Sequence, residues 1–293
     1  MKKIIRLLAV CIFLMIIILY VKNEYNIDVN IHEIQKKILN EDAVTTKEEL
    51  IEQIQKAMIN YKEGTTIKYI GSYNDIKPIV ENPLDYVSAI DDPDTSSDYD
   101  YLKYIVKSIN VSIKGYANIL ELSYHFTFRE TKEETKEVDK KVKEVIKNLG
   151  IMDLSNYEKV KEIHDYIIKN ATYDMTYHYV TAYDNLIKKT SVCQGYAALT
   201  YKMMTEAKIP CRIINGMAGG DTHAWNIVYI NGAWYNIDCT WDDPVRSDGK
   251  QMISYDNFLK SDADLKDHQR DKEYKTKAFY DKYPMATESY AID

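Results

Sequence analysis

Residues 223–241 read HAWNIVYINGAWYNIDCTW and carry the strongest local structure signal in the chain. Two runs rich in β-branched and aromatic residues, 223–230 and 233–241, flank Asn231-Gly232. An Asn-Gly pair between two such runs is the preferred type I′ turn, because both turn residues need positive φ. The sequence therefore predicts an antiparallel β-hairpin closed by a two-residue turn.

The predicted hairpin determines which side chains share a face of the sheet. In a two-residue turn, Ile230 faces Ala233, and this pairing fixes the register of both strands. His223 and Asp238 then lie on one face as diagonal neighbours, at a separation of roughly 7–8 Å that an imidazole and a carboxylate can bridge. Cys239 points to the opposite face.

A second signal is a cysteine at the predicted start of a helix. Residues 191–194 read SVCQ, a capping box that predicts Ser191 as the N-cap and Cys193 in the first turn of a helix ending before Pro210. The free N–H groups and the positive dipole end at such a position favour a thiolate. Gly195 removes a side chain beside the sulfur, so a substrate or another backbone segment can approach.

Cys193, His223 and Asp238 form the candidate catalytic set. A thiolate attacks an amide carbonyl, the histidine transfers the proton, and the aspartate fixes the histidine tautomer. The predicted register excludes Cys239 as the nucleophile, because His223 and Asp238 can serve a thiol only on their own face. In the alternative, each residue is structural, or Cys193, Cys211, His223 and Cys239 bind zinc. The zinc alternative is weaker because the sequence has no C-x₂-C pair, and we expect neither a metal nor a cofactor.

Three segments around these residues resemble the transglutaminase-like superfamily, a branch of the papain-like cysteine enzymes, in a form expected of bacterial surface proteins. The segments are residues 192–197 (VCQGYA), 222–226 (THAWN) and 234–244 (WYNIDCTWDDP). The resemblance covers about residues 155–245. It implies an α+β, papain/transglutaminase-like core in which a helix with the catalytic cysteine at its N-terminus packs on an antiparallel sheet that carries the histidine and the aspartate, without a cofactor.

The resemblance also provides candidates for binding the oxyanion or the substrate. These are Tyr173, in the segment 171–174 (ATYD), together with Gln194 and Trp225. A core position for Tyr173 and a packing role in the hairpin for Trp225 are the alternatives.

Residues 1–25 are predicted to be a signal anchor or a signal peptide. Three basic residues lie among the first six, and residues 7–21 carry no charge. No small-residue cleavage site follows this run, which favours an uncleaved helix that crosses the membrane through residues 4–21 and leaves the body outside the cell. Cleavage would instead give a secreted protein.

The rest of the chain is divided into an α+β accessory region, residues 26–129, and a catalytic domain, residues 130–293. In the accessory region the sequence predicts a helix capped at Thr46 that runs to about Asn60, a strand over residues 65–70, a loop-rich stretch over 74–100, and two strands over 101–128 that turn near Gly115. The catalytic domain begins with helices capped at Thr131 and Ser155, and His164 in the second of these is predicted to be structural.

The charge of the chain narrows the classes of function. The net charge is −7, and the four cations among residues 1–22 leave −11 for the remainder. Such an acidic body repels phosphate backbones, so nucleic-acid binding is excluded. We expect a surface thiol acyltransferase or amide hydrolase acting on protein or peptide amides, with cell-wall and surface proteins as candidate substrates. The alternatives are a cysteine protease or deamidase with the same residues, or a non-catalytic surface binding or scaffold protein.

Overall fold

The computed structural model describes residues 42–116, 118–244 and 252–291. The predicted membrane segment over residues 4–21 lies outside these ranges. Among the helices that are described, none combines the length and the apolar character needed to cross a membrane.

The described residues form an α+β fold whose elements alternate along the chain. The helices are α1 (Lys47–Ile59), α2 (Tyr73–Glu81), α3 (Pro83–Val87), α4 (Tyr101–Ile105), α5 (Lys132–Leu149), α6 (Asn156–Asn170), α7 (Cys193–Glu206) and α8 (Lys277–Lys282). The strands are β1 (Gly64–Ile70), β2 (Asp91–Asp92), β3 (Ser97–Asp98), β4 (Val106–Tyr116), β5 (Ile119–Phe128), β6 (Thr172–Tyr173), β7 (Thr190–Ser191), β8 (Cys211–Ala218), β9 (Asp221–Ile230), β10 (Ala233–Ile237) and β11 (His268–Arg270).

Three helices begin at the capping boxes that the sequence predicts. In each, the N-cap hydroxyl accepts a hydrogen bond from the backbone N–H of a glutamate three residues on, and the glutamate side chain accepts one from the N-cap N–H. The pairs are Thr46 with Glu49 in α1, Thr131 with Glu134 in α5, and Ser155 with Glu158 in α6. These three helix starts are confirmed.

The N-terminal part contains an antiparallel sheet with the strand order β1-β5-β4. Helix α1 packs beside this sheet and contributes Leu50 to the same buried apolar cluster that holds Ile163 of α6 and Met203 of α7. A buried ion pair between Arg212 of β8 and Asp100 adds a polar connection, with Nε and Oδ2 2.6 Å apart. The residues assigned from sequence to an accessory region and to a catalytic domain therefore share one core.

The predicted loop over residues 74–100 is wrong, because much of this stretch forms α2 and α3. The hydroxyl of Ser72 caps α2 by accepting a hydrogen bond from the N–H of Asn74. Pro83 occupies the first turn of α3, where its missing N–H would have no intrahelical partner. Pro78 lies inside α2. The sequence prediction interpreted these prolines as loop signals, whereas one of them begins a helix.

The two strands predicted after this stretch do form, as β4 and β5, although α4 replaces the first five residues.

A four-stranded antiparallel sheet with the order β10-β9-β8-β11 positions the candidate site. The β9–β10 hairpin has the predicted register, since Ala233 pairs with Ile230. Its turn residues have positive φ, 51° for Asn231 and 96° for Gly232. Both the hairpin and its register are confirmed. The ladder ends at Ile237, so the predicted second strand is four residues too long.

The turn provides a test of the hairpin's contribution to stability. A Cβ built on Gly232 meets no atom within 4 Å, so a side chain there is disfavoured by backbone conformation and not by a clash. We expect Gly232→Val to lower the free energy of unfolding by about 1–2 kcal/mol, because a β-branched residue resists positive φ. Gly232→Asn, which tolerates that conformation, is the control in urea unfolding. Equal stability of the two variants would contradict the turn's role.

Helix α7 packs against the four-stranded sheet and is held there by a buried polar contact. Asn226 of β9 donates a hydrogen bond from Nδ2 to the backbone carbonyl of Ala197 at 3.1 Å. The start of the helix is thereby placed beside the first residues of β9.

The predicted N-cap of this helix is wrong by one residue. Val192 is the N-cap and supplies no side-chain hydrogen bond, so Cys193 is the first residue of α7. Ser191 belongs to β7, and its Oγ accepts a hydrogen bond from Asn185 Nδ2 at 2.8 Å. Gly195 makes room for this packing, because a Cβ there would lie 2.4 Å from Ser191 Oγ. The space at Gly195 therefore serves the contact of α7 with β7 and not the approach of a substrate.

Candidate active site

The thiol of Cys193 and the imidazole of His223 line one cavity of about 540 Å³. Cys193 starts α7, and His223 is the third residue of β9. Tyr173 and Gln194 line the same cavity. The packing of a helix N-terminus on the end of a strand thus brings a cysteine and a histidine from distant parts of the chain to one solvent-connected space.

His223 connects the cavity to the buried carboxylate of Asp238. Its Nε2 donates a hydrogen bond to Asp238 Oδ2 at 2.7 Å. The side chain of Cys193 lies close enough to His223 to contribute to the raised pKa of the imidazole. The side chain of Asp238 is 1% exposed, so its charge acts in a medium where water screens it little.

Asp238 accepts hydrogen bonds on both carboxylate oxygens. Oδ1 accepts from the backbone N–H groups of Thr240 at 2.9 Å and Trp241 at 3.2 Å. Oδ2 accepts from His223 and, at 2.9 Å, from Nε2 of His268. Four donors therefore hold the ionised carboxylate and fix its orientation.

The charges of His223 and Asp238 shift the pKa values of both groups. Burial alone would lower the pKa of His223, but the attraction and the hydrogen bond of the Asp238 carboxylate outweigh it and raise that pKa to about 10. Burial alone would raise the pKa of Asp238, but the charge and the hydrogen bonds of His223 and His268 hold it well below its ordinary value. The geometry therefore keeps His223 protonated at neutral pH.

His268, which the sequence analysis did not select, is the second histidine on this carboxylate. Its side chain is 1% exposed and packs between Trp225 and Trp241, with ring centroids 5.1 Å and 4.7 Å away. Within the described residues its Nδ1 has no hydrogen-bond partner, so the ring donates from Nε2 alone. The one signal in the sequence is that histidine is rare, with six in the chain.

The two histidines and the carboxylate also offer potential metal ligands. Ligand atoms of His223, Asp238 and His268 lie within 4.8 Å of one another, and a cation there would have to displace the two hydrogen bonds to Oδ2. The zinc set weighed from sequence is not assembled in the described residues. Cys211 and Cys239 are buried, and burial raises the pKa of both thiols. They are therefore inert, packed thiols.

The three candidates for the oxyanion or the substrate are placed differently. Tyr173 pairs with Ser191, two residues before Cys193, and burial raises its pKa to about 12. It therefore keeps its phenolic proton and can donate it. Gln194 lines the cavity beside Cys193.

Trp225 does not line the cavity of Cys193. Its Nε1 donates to Asn236 Oδ1 at 3.1 Å, and the ring lines a separate cavity of about 190 Å³. It stacks on His223 with ring centroids 6.2 Å apart. The residue therefore packs behind the histidine, where it excludes water from the His223–Asp238 pair.

Residues 143–239 match the family model of the transglutaminase-like superfamily. A 70-residue stretch is 33% identical to the Kyphoscoliosis peptidase of Homo sapiens and equally to that of Mus musculus. The match covers 20% of this chain and 11% of the relative, so the chain spans about a tenth of the length of the curated relatives it matches.

Two solved structures are similar to parts of this chain. A transglutaminase structure is 16% identical over 61% of this chain and 52% of its own, with a TM-score of 0.35. A candidate cysteine protease from Cytophaga hutchinsonii is 21% identical over 51% of this chain and 68% of its own, with a TM-score of 0.32.

Proposed function

We propose that the chain is a thiol acyltransferase that acts on glutamine side chains of proteins or peptides through a Cys193–His223–Asp238 triad. The observation that carries this proposal is that Cys193 and His223 line one cavity of about 540 Å³ while His223 is hydrogen-bonded to the buried carboxylate of Asp238. Cys193 lies at the N-terminus of α7, where the first N–H groups of a helix have no intrahelical partner.

In the first half-reaction the Cys193 thiolate attacks the carboxamide carbon of the glutamine. A C–S bond forms and the carbonyl oxygen becomes an oxyanion, which backbone N–H groups at the start of α7 and the phenol of Tyr173 are placed to stabilise. The His223 imidazolium then gives its proton to the departing nitrogen. The C–N bond breaks, ammonia leaves, and a thioester on Cys193 remains.

In the second half-reaction a primary amine or water attacks the thioester. His223, now neutral, accepts the proton from the attacking nucleophile, and the C–S bond breaks to restore the thiolate and the imidazolium. Asp238 keeps the imidazole in the tautomer that makes both transfers, because its Oδ2 holds the proton on Nε2. An amine gives cross-linking, and water gives deamidation.

We further propose that the reaction takes place outside the cytoplasmic membrane, on cell-wall or surface polypeptides. The support is the basic start of the sequence followed by the uncharged run over residues 7–21.

Intact-mass spectrometry on a glutamine-rich test protein distinguishes the outcomes. The full-length chain, kept in solution with a mild detergent, is incubated with that protein with and without a primary amine, and Cys193→Ala is the control. We expect the amine to be added with loss of ammonia. Replacement of amide nitrogen by oxygen alone would indicate a deamidase, and fragments would indicate a protease. No change that depends on Cys193 would favour a binding protein.

His268 acts in this proposal as a positioning residue that holds Asp238 towards His223. Removing its hydrogen bond in His268→Leu, which keeps an apolar side chain between the two tryptophans, is expected to lower kcat by about 10- to 100-fold, the effect of losing a bond to a charged group. KM is expected to stay unchanged, because His268 does not line the cavity of Cys193.

The matched variant is His268→Gln, whose amide nitrogen can donate to the same oxygen. Steady-state ammonia release should recover in this variant by most of the lost factor. A purely packing role would instead predict that the polar glutamine is worse than leucine. That ranking would remove His268 from the mechanism.

A further inference from the structure

A loop at the edge of the candidate cleft is ordered by a carboxylate. We call residues 174–179 the rim loop. Asp174 is 5% exposed, and its Oδ1 accepts from the N–H and the hydroxyl of Thr176 at 2.8 Å and 2.6 Å. Its Oδ2 accepts from the N–H groups of His178 at 2.7 Å and Tyr179 at 2.9 Å. The loop thus keeps its shape without burying its own large apolar side chains.

The rim loop holds two of those side chains out in solvent. Met175 and Tyr177 are each 67% exposed. Tyr177 has a φ of 59°, in the left-handed region that a bulky residue adopts only at a cost in free energy. Its ring lies edge-on to Tyr173, with centroids 6.4 Å apart. An unfavourable backbone conformation combined with exposed apolar surface indicates a binding role.

This apolar surface continues into the cleft of Cys193. Tyr173 and Tyr177 line the same cavity as the thiol, and Met217 of β8, which is 38% exposed, lines it as well. The position next to the proposed nucleophile identifies the occupant as the part of a substrate that flanks the reacting group.

The charged side chains that line the cleft place a second requirement on the ligand. Asp221 and Asp271 line the cavity and are exposed, and among the described lining residues there is no lysine or arginine. The positive charge of His223 in this cavity is balanced by Asp238. A cation on the ligand is therefore favoured near Asp221 and Asp271, and an anion is disfavoured there.

We propose that the cleft docks an extended polypeptide whose reactive glutamine is flanked by a bulky apolar side chain, which lies against Tyr177 and Met217, and by a basic side chain, which lies near Asp221 and Asp271. The proposal rests on the proposed function for the identity of the reacting residue. The shape of the cleft alone would accept many polypeptide segments, so these four side chains determine which glutamines are used.

The test measures binding without turnover. Four peptides of equal length carry a central glutamine, either leucine or serine on one side, and either lysine or glutamate on the other. Their affinity for the full-length Cys193→Ala chain in detergent is measured by fluorescence anisotropy. We expect the leucine–lysine peptide to bind about fivefold or more tightly than its serine counterpart. Lysine should exceed glutamate by a smaller factor that shrinks with added salt.

Variants assign these preferences to residues. Tyr177→Asn keeps a residue that accepts positive φ and removes the ring, and Met217→Ser removes the other apolar contact. Each should weaken the leucine peptides and leave the serine peptides unchanged. Ile113→Ser, at a 39% exposed apolar residue of β4, is the control and should change nothing.

Equal affinity for leucine and serine peptides, or no binding of any peptide, would overturn the docking proposal. Because the assay needs no acyl transfer, peptide selectivity in a chain that fails the mass-spectrometric test would retain the docking surface and reject the proposed reaction. The opposite pair of results would retain the reaction and reject the docking surface.

Discussion

Replacing Cys193 with alanine is expected to reduce glutamine-dependent ammonia release by about 10⁶-fold, the scale of losing a covalent nucleophile. Without the sulfur there is no thioester, and the remaining oxyanion donors can assist only direct attack by water. The free energy of unfolding should change by less than about 1 kcal/mol, because the side chain is small and borders a cavity. Ammonia release and urea unfolding measure the two effects.

Cys211→Ala is the matched control for this experiment. The Cys211 side chain is 0% exposed and lies in the apolar core, so its truncation should cost about 1–2 kcal/mol of stability and leave activity close to that of the parent. The two cysteines should therefore give opposite patterns. A stable, inactive Cys211→Ala together with an unstable, active Cys193→Ala would mean that Cys193 is a packing residue.

Asp238→Asn is expected to lower kcat by about 10⁴-fold without unfolding the protein. The backbone N–H groups of Thr240 and Trp241 donate to Oδ1, so the amide oxygen of asparagine takes that position and its NH₂ group faces His223. His223 must then accept on Nε2 and carry its proton on Nδ1. This is the wrong tautomer for a ring that has to accept a proton from the thiol side.

The pH profile provides a second measurement of the same change. The proton that His223 gives to ammonia is present below its pKa, which is about 10 in the parent, and is lost as the pH rises through that value. Ammonia release by the parent should therefore decline only above about pH 10. In Asp238→Asn the attraction that raises this pKa is gone, so the decline should begin at or below the ordinary histidine value of about 6.5.

Asp165→Asn is the control for Asp238→Asn. It separates the change in the pH profile from the general cost of altering a buried His–Asp pair. Asp165 accepts a hydrogen bond from the fully buried His164 at 3.1 Å and does not line the cleft of Cys193. Its replacement should reduce stability and leave the alkaline decline in place. A similar shift of the pH profile in both variants would indicate a global effect and remove Asp238 from the proposed mechanism.

The parts of the fold that the sequence predicts are those determined by local chemistry. An Asn-Gly turn and strict alternation are sufficient to fix the register of β9 and β10, and with it the encounter of His223 with Asp238. Capping boxes likewise locate α1, α5 and α6. The same local rule is wrong at Ser191, because pairing of β7 with β6 overrides the preference of serine for an N-cap position.

Contacts between distant segments could not be predicted in this way. His268 meets Asp238 from thirty residues further along the chain, in a segment without a turn or capping motif that would indicate its direction. Trp225 lies on the predicted face, yet its N–H is occupied by Asn236, a contact that depends on rotamers. The helices α2 and α3 were missed because proline is compatible with both a loop and a first helical turn.

The carboxylate of Asp238 depends on a part of the chain that is synthesised later. The backbone N–H of Asp238 donates to the carbonyl of Asn257 at 3.1 Å, and its side-chain Oδ2 accepts a hydrogen bond from His268. Both partners lie beyond residues 143–239, the segment that matches the family model. Because a chain emerges from the ribosome N-terminus first, Cys193 and His223 are delivered before the groups that fix their acid partner. The full set of hydrogen bonds to Asp238 is therefore complete only after synthesis has passed β11.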